Sequence, residues 1–304
     1  WATTPSRGNS SPFSMRLTEL SGKKIAILGF GKEGQAVLEA LREHGVACEV
    51  TALDSRADLR VEGVAVRGGP DYLKSLTDFD VIVRSPGIPP QPEFAAVAGR
   101  LVSGTQIFLD SIAGTGALVI GVTGSKGKST TSTLIYEVLK AAGRDAHLVG
   151  NIGKPALAHL AAAKPGAIFV HEFSSYQLAA LTVSPPIAVV TAFFPEHLDY
   201  HGSLEAYREA KGRIARFQTE NDVVFYNAKF PDCAWIAEQG RGEKVPFSDA
   251  DSPVTLAEIK LLGRHNLGNI GAVTKVITRM DVPLETAIGV FREFRGLPHR
   301  LQDL

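Results

Sequence analysis

Short apolar runs rich in β-branched residues alternate with longer segments of helical periodicity along most of this chain. Continuous apolar runs are typical of parallel strands that are covered on both faces, and such strands are joined by helices. The pattern therefore predicts an α/β protein with mostly parallel sheets wrapped by helices. It places strands at residues 24–29, 49–53, 80–84, 117–122, 167–172, 187–193 and 222–226.

Helical periodicity is clearest in the last third of the chain. One helix is predicted over residues 204–217, and two more are predicted over residues 267–294. The last two are separated at Asp281-Val-Pro283, because a proline cannot continue the helix that precedes it.

Composition narrows the class of protein. A length of 304 residues is enough for about two domains, and 44% hydrophobic with 21% charged residues is typical of a soluble globular protein. Acidic and basic residues are equal in number, 32 each, so no net charge attracts nucleic acid or an anionic membrane. No apolar stretch reaches the roughly 18 residues that span a bilayer. We therefore expect a cytoplasmic monomer that binds neither nucleic acid nor membrane.

A glycine-rich loop follows the strand predicted at residues 117–122 and precedes a helix. Its sequence is Thr123-Gly-Ser-Lys-Gly-Lys-Ser-Thr130. Glycines let backbone N–H groups converge on phosphate oxygens, the lysine before Ser129 reaches the β and γ phosphates, and the two hydroxyls hold Mg²⁺. The loop predicts a nucleoside triphosphate site made by Thr123, Gly124, Ser125, Lys126, Gly127, Lys128, Ser129 and Thr130. Gly121 lies one position earlier than the standard pattern requires.

A second glycine motif, Gly29-Phe-Gly-Lys-Glu-Gly34, lies between the first predicted strand and a helix. Asp54 follows Gly34 by twenty residues, at the end of the next strand. Alone, this spacing is that of a dinucleotide site, with the acid on a ribose hydroxyl. It supports an alternative, an NAD-dependent oxidoreductase, which does not account for the second phosphate loop.

The segment Thr123–Thr130 resembles the shortened phosphate loop of the Mur ligases, a family that includes the folylpolyglutamate synthases. The resemblance runs from about Leu20 to the last residue, and the folylpolyglutamate synthases fit less well because they have no counterpart of the N-terminal unit. Further motifs of the family are resembled, in the same order, by residues 171–178, 194–199, 207–211, 263–269 and 296–300.

For the central part of the chain, the resemblance implies a site for ATP and two Mg²⁺ ions. Glu172 would share the first Mg²⁺ with Ser129 or Thr130, and His197 would join the second. Lys211 would take up CO₂, becoming a carbamate that binds the second Mg²⁺. The catalytic set implied is Lys128, Glu172, His197 and Lys211, and the adenine side and domain closure are assigned to Asn266, Asn269, His299 and Arg300.

For the N-terminal part, the resemblance implies a site for a UDP-linked muramoyl substrate. Its residues would be Gly31, Lys32, Glu33, Asp54, Ser55, Arg56, Ser85, Pro86 and Gly87. Asn151, Ser174 and His197 would orient the same substrate near ATP.

Several of these residues also have plain structural interpretations. Asn151, Ser174, Asn266 and Asn269 are residue types that cap turns and helices, and a lysine on a helix is usually solvated. The spacing of His197 and His201 is compatible with zinc, but no third ligand of suitable spacing is near in sequence.

The implied activity is ATP-dependent amide bond formation. ATP would phosphorylate a carboxylate to an acyl phosphate, which an amine then attacks, and cations must gather where the anions meet. The segments at residues 171–178 and 296–300 look most like those members that add D-glutamate to UDP-N-acetylmuramoyl-L-alanine for peptidoglycan synthesis.

The expected organisation is a leader at residues 1–19, a Rossmann-like UDP-substrate domain at 20–110 and a P-loop NTPase-like ATP domain at 111–304. The family continues into a C-terminal Rossmann-like domain that this sequence lacks, so the chain is expected to bind UDP-substrate without normal turnover. A nonenzymatic nucleotide-binding module is the remaining alternative.

Overall fold

The computed structural model describes residues 15–297, which divide into two compact units. The first unit comprises the residues up to Gly116 together with Lys154–Ala163 and Ala180–Thr182. The second comprises Ala117–Gly153, Lys164–Ala179 and the residues from Val183 onward.

The first unit contains a five-stranded parallel sheet in the order β3-β2-β1-β4-β5. The central strand, β1, is buried from Ile25 to Leu28, which accounts for its continuous apolar sequence. The strands are β1 Lys24–Leu28, β2 Glu49–Asp54, β3 Ala65–Gly68, β4 Val81–Arg84 and β5 Leu101–Val102. The helices are α1 Lys32–Glu43 and α2 Gly104–Ile112, with 3-10 helices at Leu17–Leu20, Leu76–Asp78, Pro92–Arg100 and Ala156–Ala162.

The second unit contains a six-stranded parallel sheet in the order β11-β10-β9-β6-β8-β7. The strands are β6 Leu118–Thr123, β7 Ala146–Gly150, β8 Ile168–Glu172, β9 Ile187–Val190, β10 Val223–Asn227 and β11 Glu243–Phe247. The helices are α3 Lys128–Ala141, α4 Ser175–Leu178, α5 Leu198–His201, α6 Leu204–Arg216, α7 Pro231–Ala237, α8 His265–Arg279 and α9 Leu284–Glu293, with 3-10 helices at Asp249–Asp251 and Leu256–Glu258.

A large apolar core lies between this sheet and the helices α3, α8 and α9. Strand residues such as Ile120 and Val189 pack with Leu134 of α3 and Ile270 of α8, all with no measurable solvent exposure. Burial on this scale fixes β6 at the middle of the sheet, between β9 and β8. The carboxyl ends of three neighbouring strands therefore form one edge, which is where open α/β sheets bind ligands.

The predicted α/β class with parallel sheets is confirmed, and all seven predicted strands are present. The prediction for residues 187–193 was too long, because β9 ends at Val190 and the following residues contact the phosphate loop. The helices α8 and α9 are separated as expected, with Asp281 in a left-handed conformation (φ 53°) and Pro283 just before α9. Among the described residues, no helix is long and apolar enough to cross a membrane.

Four strands were not predicted from the sequence, and each lies at the edge of a sheet. They are β3, β5, β7 and β11. An edge strand has a neighbour on one side only and buries fewer side chains; β3, for example, has no buried residue. Its sequence therefore lacks the continuous apolar run that marks the central strands.

Candidate active site

The phosphate loop joins the end of β6 to the start of α3 and consists of residues 124–127. Gly124 and Gly127 both have positive φ, 148° and 85°. A side chain at Gly124 would lie 2.1 Å from Thr191 Oγ1, and one at Gly127 would lie 2.4 Å from Asn269 Oδ1. Glycine is therefore required at both positions for conformational and steric reasons.

Gly121 belongs to the strand and not to the loop. A Cβ atom there would lie 2.5 Å from Pro185 and 2.8 Å from the Phe173 ring. Close packing accounts for this glycine, which explains why it lies one position too early for the standard loop pattern.

The loop is held in place by the segment that follows β9. Ser125 Oγ accepts a hydrogen bond from the Phe194 N–H at 2.8 Å, donates to Phe194 O at 2.8 Å, and lies 2.9 Å from the Tyr207 hydroxyl. The Ser125 N–H donates to Ala192 O, and Thr191 Oγ1 donates to Lys126 O at 2.6 Å. These bonds preorganise the backbone that would meet the phosphates.

Three lysine ammonium groups lie at this short loop. Lys128 Nζ donates to Ser125 O at 2.9 Å, and Lys211 Nζ donates to Gly124 O at 2.8 Å. Lys126 Nζ forms an ion pair with Glu196 at 2.7 Å. Such a concentration of positive charge around backbone N–H groups suits a polyphosphate.

Lys211 is the most unusual of the three because it is 1% exposed. Burial, helped by the nearby positive charge of Lys128, lowers the pKa of Lys211 to about 7. A substantial fraction of this amine is therefore neutral near pH 7, which is the form that can act as a nucleophile. Its ammonium also lies 4.7 Å from the centre of the Tyr207 ring, on the same helix, α6. The sequence-based default of a solvated lysine is wrong.

Glu172 ends β8, beside the loop, and is 1% exposed. One carboxylate oxygen accepts a hydrogen bond from Asn151 Nδ2 at 2.8 Å, whereas the buried Oε2 has no hydrogen-bond partner among the described residues. A buried carboxylate oxygen without a partner is costly unless a cation or donor completes it. The arrangement fits a hard cation such as Mg²⁺, which takes oxygen ligands.

No three His, Cys, Asp or Glu side chains within residues 15–297 gather closely enough to hold a metal ion by themselves. Mg²⁺ sites in nucleotide enzymes usually combine one or two carboxylates with hydroxyls, water and substrate phosphates. Glu172 and the hydroxyls of Ser129 and Thr130, in the first turn of α3, are of this type.

His197 precedes α5 in a left-handed conformation (φ 56°) and is exposed. Its ring lies 5.0 Å from the Tyr176 ring and 6.3 Å from the Tyr207 ring. The neighbouring His201 accounts for the repeated histidine differently, because its Nε2 lies 3.0 Å from Ser175 Oγ. This polar contact connects α5 to α4.

Ser175, Tyr176, His201, Tyr207 and Glu196 were not identified as site residues from the sequence. All five lie inside segments that carry recognisable motifs, at residues 171–178, 194–199 and 207–211 or just beyond them. Proximity to those motifs was the available signal, but the contacts that give these residues a role join three different loops.

Several predicted binding residues also have local structural roles. Ser174 caps α4, accepting a hydrogen bond from the Gln177 N–H. Asn266 and Asn269 lie in the first turns of α8, but the N-cap is Arg264, so the cap interpretation is wrong for both. Asn269 donates to Asn266 Oδ1 at 2.9 Å, and its own Oδ1 faces Gly127. His299 and Arg300 lie outside the described residues.

In the first unit, the second glycine motif joins β1 to α1 and lies beside the ends of β2 and β4. Ser85 Oγ donates to Gly29 O at 2.7 Å, so the Ser85-Pro86-Gly87 turn contacts this loop directly. The helix starts at Lys32 after Gly31, with Glu33 in its first turn.

Asp54 is buried beneath this loop, and its carboxylate is fully used inside the protein. Its oxygens accept hydrogen bonds from the Phe30 N–H at 2.8 Å and from the Arg56 N–H, Nε and NH2 at 2.8–3.0 Å. The Arg56 guanidinium also donates to Phe30 O at 2.9 Å. These bonds, that from the Arg56 side chain foremost, hold the pKa of Asp54 well below its ordinary value. Ser55 and the Arg56 side chain are exposed at the same edge.

The geometry defines a P-loop nucleotide-binding unit that follows a Rossmann-like unit. A family model described as the Mur ligase middle domain matches residues 122–277. The chain is 36% identical to a UDP-N-acetylmuramoylalanine–D-glutamate ligase of Symbiobacterium thermophilum, over 93% of this chain and 69% of that protein. It is 37% identical to the ligase of the same name from Geobacillus kaustophilus, over 92% and 68%.

Other relatives of similar identity carry a different name. A UDP-N-acetylmuramoyl-L-alanine–L-glutamate ligase of Salinispora tropica is 36% identical over 95% of this chain and 70% of that protein. Among solved structures, a UDP-N-acetylmuramate:L-alanyl-gamma-D-glutamyl-meso-diaminopimelate ligase from Neisseria meningitides matches with a TM-score of 0.63 at 18% identity, covering 91% of this chain and 99% of that one. The structural match supports the fold.

The chain belongs to the Mur ligase family, whose members are ATP-dependent ligases that form amide bonds. The NAD-dependent oxidoreductase considered from the first glycine motif is therefore excluded by family membership. The occupied carboxylate of Asp54 agrees with this, because a dinucleotide site needs that acid for a ribose hydroxyl.

Proposed function

We propose that this chain provides the UDP-substrate and ATP sites of a cytoplasmic, monomeric ligase that adds D-glutamate to UDP-N-acetylmuramoyl-L-alanine in peptidoglycan precursor synthesis. The observation that carries the proposal is the convergence of Lys126, Lys128, Lys211 and Glu172 on one phosphate loop. The names of the relatives supply the substrate class. The first unit, proposed to extend over residues 20–110, would hold the UDP end, and residues 111–304 would hold ATP.

The chemistry needs an anionic carboxylate to approach a triphosphate. Backbone N–H groups of residues 124–127 and the start of α3 would hold the β and γ phosphates, with the Lys128 ammonium offsetting the charge of the leaving oxygens. Mg²⁺ held by Glu172 and a hydroxyl of Ser129 or Thr130 would supply further positive charge at the transferred phosphoryl group. Loop bonds from Ser125 and Thr191 keep these donors in place during the transfer.

We further propose that Lys211 is carbamylated in the active protein and, with His197, completes a second Mg²⁺ site. Carbamylation needs a neutral amine, and burial lowers the pKa of Lys211 to about 7. The reaction forms an N–C bond between Nζ and CO₂ and releases one proton. The resulting carboxylate oxygens are the ligands that Mg²⁺ prefers.

In the first unit, the saturated carboxylate of Asp54 supports a division of roles. Asp54 would fix Arg56 against the Gly29–Gly34 loop, and the exposed guanidinium of Arg56 would meet the substrate with Ser55. Gly31, Lys32 and Glu33 at the helix start and the Ser85-Pro86-Gly87 turn would approach the diphosphate. Asn151 and Ser174, beside Glu172, would orient the acceptor carboxylate, and Asn266 and Asn269 would lie toward the adenine.

L-Glutamate is the second candidate for the added amino acid, because the relatives named as L-glutamate ligases are as similar to this chain as those named as D-glutamate ligases. Phosphate release by the full-length protein with ATP, UDP-N-acetylmuramoyl-L-alanine and either enantiomer separates the two. Release with D-glutamate alone supports the proposal, and release with L-glutamate alone replaces it.

Isothermal titration of this chain with UDP-N-acetylmuramoyl-L-alanine tests the substrate site, with NADH as the comparison ligand. Saturable binding that Arg56→Ala weakens is expected. A folded chain that binds neither the UDP-substrate nor ATP contradicts the proposed function.

A further inference from the structure

An ion pair connects the phosphate loop to the segment after β9. Lys126 Nζ lies 2.7 Å from a carboxylate oxygen of Glu196, which precedes His197. The Lys126 side chain is 73% exposed, whereas that of Glu196 is 24% exposed. The anionic partner is therefore fixed in the protein surface, and the cationic partner is the one that can move.

The ion pair is not what shapes the loop. Thr191 Oγ1 holds Lys126 O, and Ser125 is bonded to Ala192 and Phe194 through both its backbone and its hydroxyl. These contacts connect the same two segments without the Lys126 side chain. An exposed ion pair adds little to the stability of such a structure.

A triphosphate in the loop would bring several negative charges next to Lys126. The ammonium group sits on a flexible four-carbon stem, so it can turn from one oxygen anion to another without a change of backbone. A terminal phosphate carries more charge than a single carboxylate and offers more oxygen acceptors.

We propose that Glu196 competes with the terminal phosphate of ATP for the Lys126 ammonium, so that this ion pair sets the affinity of the site for nucleotide. Lys126 exchanges Glu196 for the phosphate when ATP binds, and the energy of the broken pair is subtracted from the binding energy. This inference rests on the proposed function, because it requires ATP in the loop.

The test is a double-mutant cycle on ATP affinity, measured by titration calorimetry of the full 304-residue chain with Mg·ATP and with ATP in EDTA. Lys126→Met is expected to weaken binding by about tenfold, because it removes a charge-assisted contact to phosphate. Glu196→Gln is expected to tighten binding about two- to fivefold, because it removes the competitor. In the Lys126→Met background, Glu196→Gln is expected to have no effect.

The double variant separates this proposal from a general field effect. Removing a negative charge near a triphosphate raises affinity in any background, so a gain that persists without Lys126 would overturn the competition. Weaker Mg·ATP binding in Glu196→Gln with unchanged binding of Mg-free ATP would make Glu196 a metal ligand and would also overturn it.

A matched control pair lies elsewhere in the same unit. Lys164 and Asp145 are 3.0 Å apart at the amino-terminal end of β7. Lys164→Met and Asp145→Asn should leave ATP affinity unchanged. Failure of wild-type chain to bind ATP contradicts the proposed function itself, whereas wild-type binding that is lost in Lys128→Met and unaffected by both Lys126→Met and Glu196→Gln contradicts only the competition.

Discussion

The chain contains two glycine loops, each between a central parallel strand and a helix, and they differ in what surrounds them. The loop at residues 29–31 lies over a carboxylate, Asp54, whose oxygens are occupied by Arg56 and the backbone. The loop at residues 124–127 lies among three ammonium groups and one buried carboxylate, Glu172, with an oxygen left over.

The difference shows that the glycine pattern reports backbone geometry and not the ligand. Glycines permit the tight turn at a helix start in both units. The charge of the side chains then decides which phosphate chemistry each loop can perform. A loop with a neutralised acid can bind a diphosphate passively, whereas one with several cations and an incomplete carboxylate can stabilise phosphoryl transfer.

The largest expected effect breaks the second loop alone. Lys128→Met should weaken ATP binding by at least about a hundredfold, because it removes charge-assisted hydrogen bonds to two phosphates. Binding of UDP-N-acetylmuramoyl-L-alanine should be unchanged. Calorimetric titration of both ligands measures the two loops separately.

Lys140→Met is the matched control, since Lys140 is exposed in the last turn of the same helix, α3. Equal loss of ATP binding in both variants would show that the helix, and not the phosphate contact, was damaged.

The next effect concerns the incomplete carboxylate. Glu172→Gln should abolish the Mg²⁺ dependence of ATP binding, while the melting temperature of the ligand-free chain stays equal or rises. The reason is that the buried Oε2 has no partner among the described residues, so removing its charge relieves a cost in the absence of a cation. ATP titrations across Mg²⁺ concentrations, with thermal unfolding of the free chain, provide both measurements.

Glu137→Gln, at an exposed position of α3, should change neither quantity. A melting temperature that falls for Glu172→Gln would mean that the carboxylate stabilises the empty site, contrary to the prediction.

The buried amine gives a pH dependence with a definite sign. The pKa of Lys211 is about 7 in the folded chain and about 10.4 in an unfolded one. Between these values the unfolded state binds more protons, so wild-type stability should rise with pH from about 7 to 10. Lys211→Met should lack this rise, as measured by urea unfolding at several pH values in CO₂-free buffer. A parallel pH dependence in both proteins would refute the assignment.

Carbamylation sharpens the same comparison. With ¹³C-bicarbonate, the wild-type chain should show a carbamate carbon signal by NMR that strengthens with Mg·ATP, whereas Lys211→Met should not. No signal in wild type at any pH between 7 and 9 would remove the proposed second Mg²⁺ ligand.

The sequence was sufficient for the fold class, the central strands and the position of both loops, because buried strands and glycine turns leave strong local patterns. It was insufficient for the edge strands and for contacts between loops. Tyr207, Ser175 and His201 act through neighbours far away in the sequence, and the burial of Lys211 depends on helix α6 packing against the loop. Periodicity along one segment does not contain that information.

The smallest expected effect tests the neutralised acid of the first loop. Asp54→Asn should lower the stability of the first unit by about 1.5 kcal/mol at neutral pH, since hydrogen bonds to a buried charge are lost. The folded pKa of Asp54 is depressed, so its contribution is present above about pH 4 and declines as the pH falls further. The difference between wild type and variant should therefore shrink below pH 4. Asp71→Asn, which removes an exposed ion pair with Lys74, should have little effect at any pH. Hydrogen exchange at the Phe30 and Arg56 amides gives a local measurement, because both donate to Asp54. Faster exchange at these two amides, with ATP affinity unchanged, would show that the first loop depends on an internal ion pair that the second loop lacks.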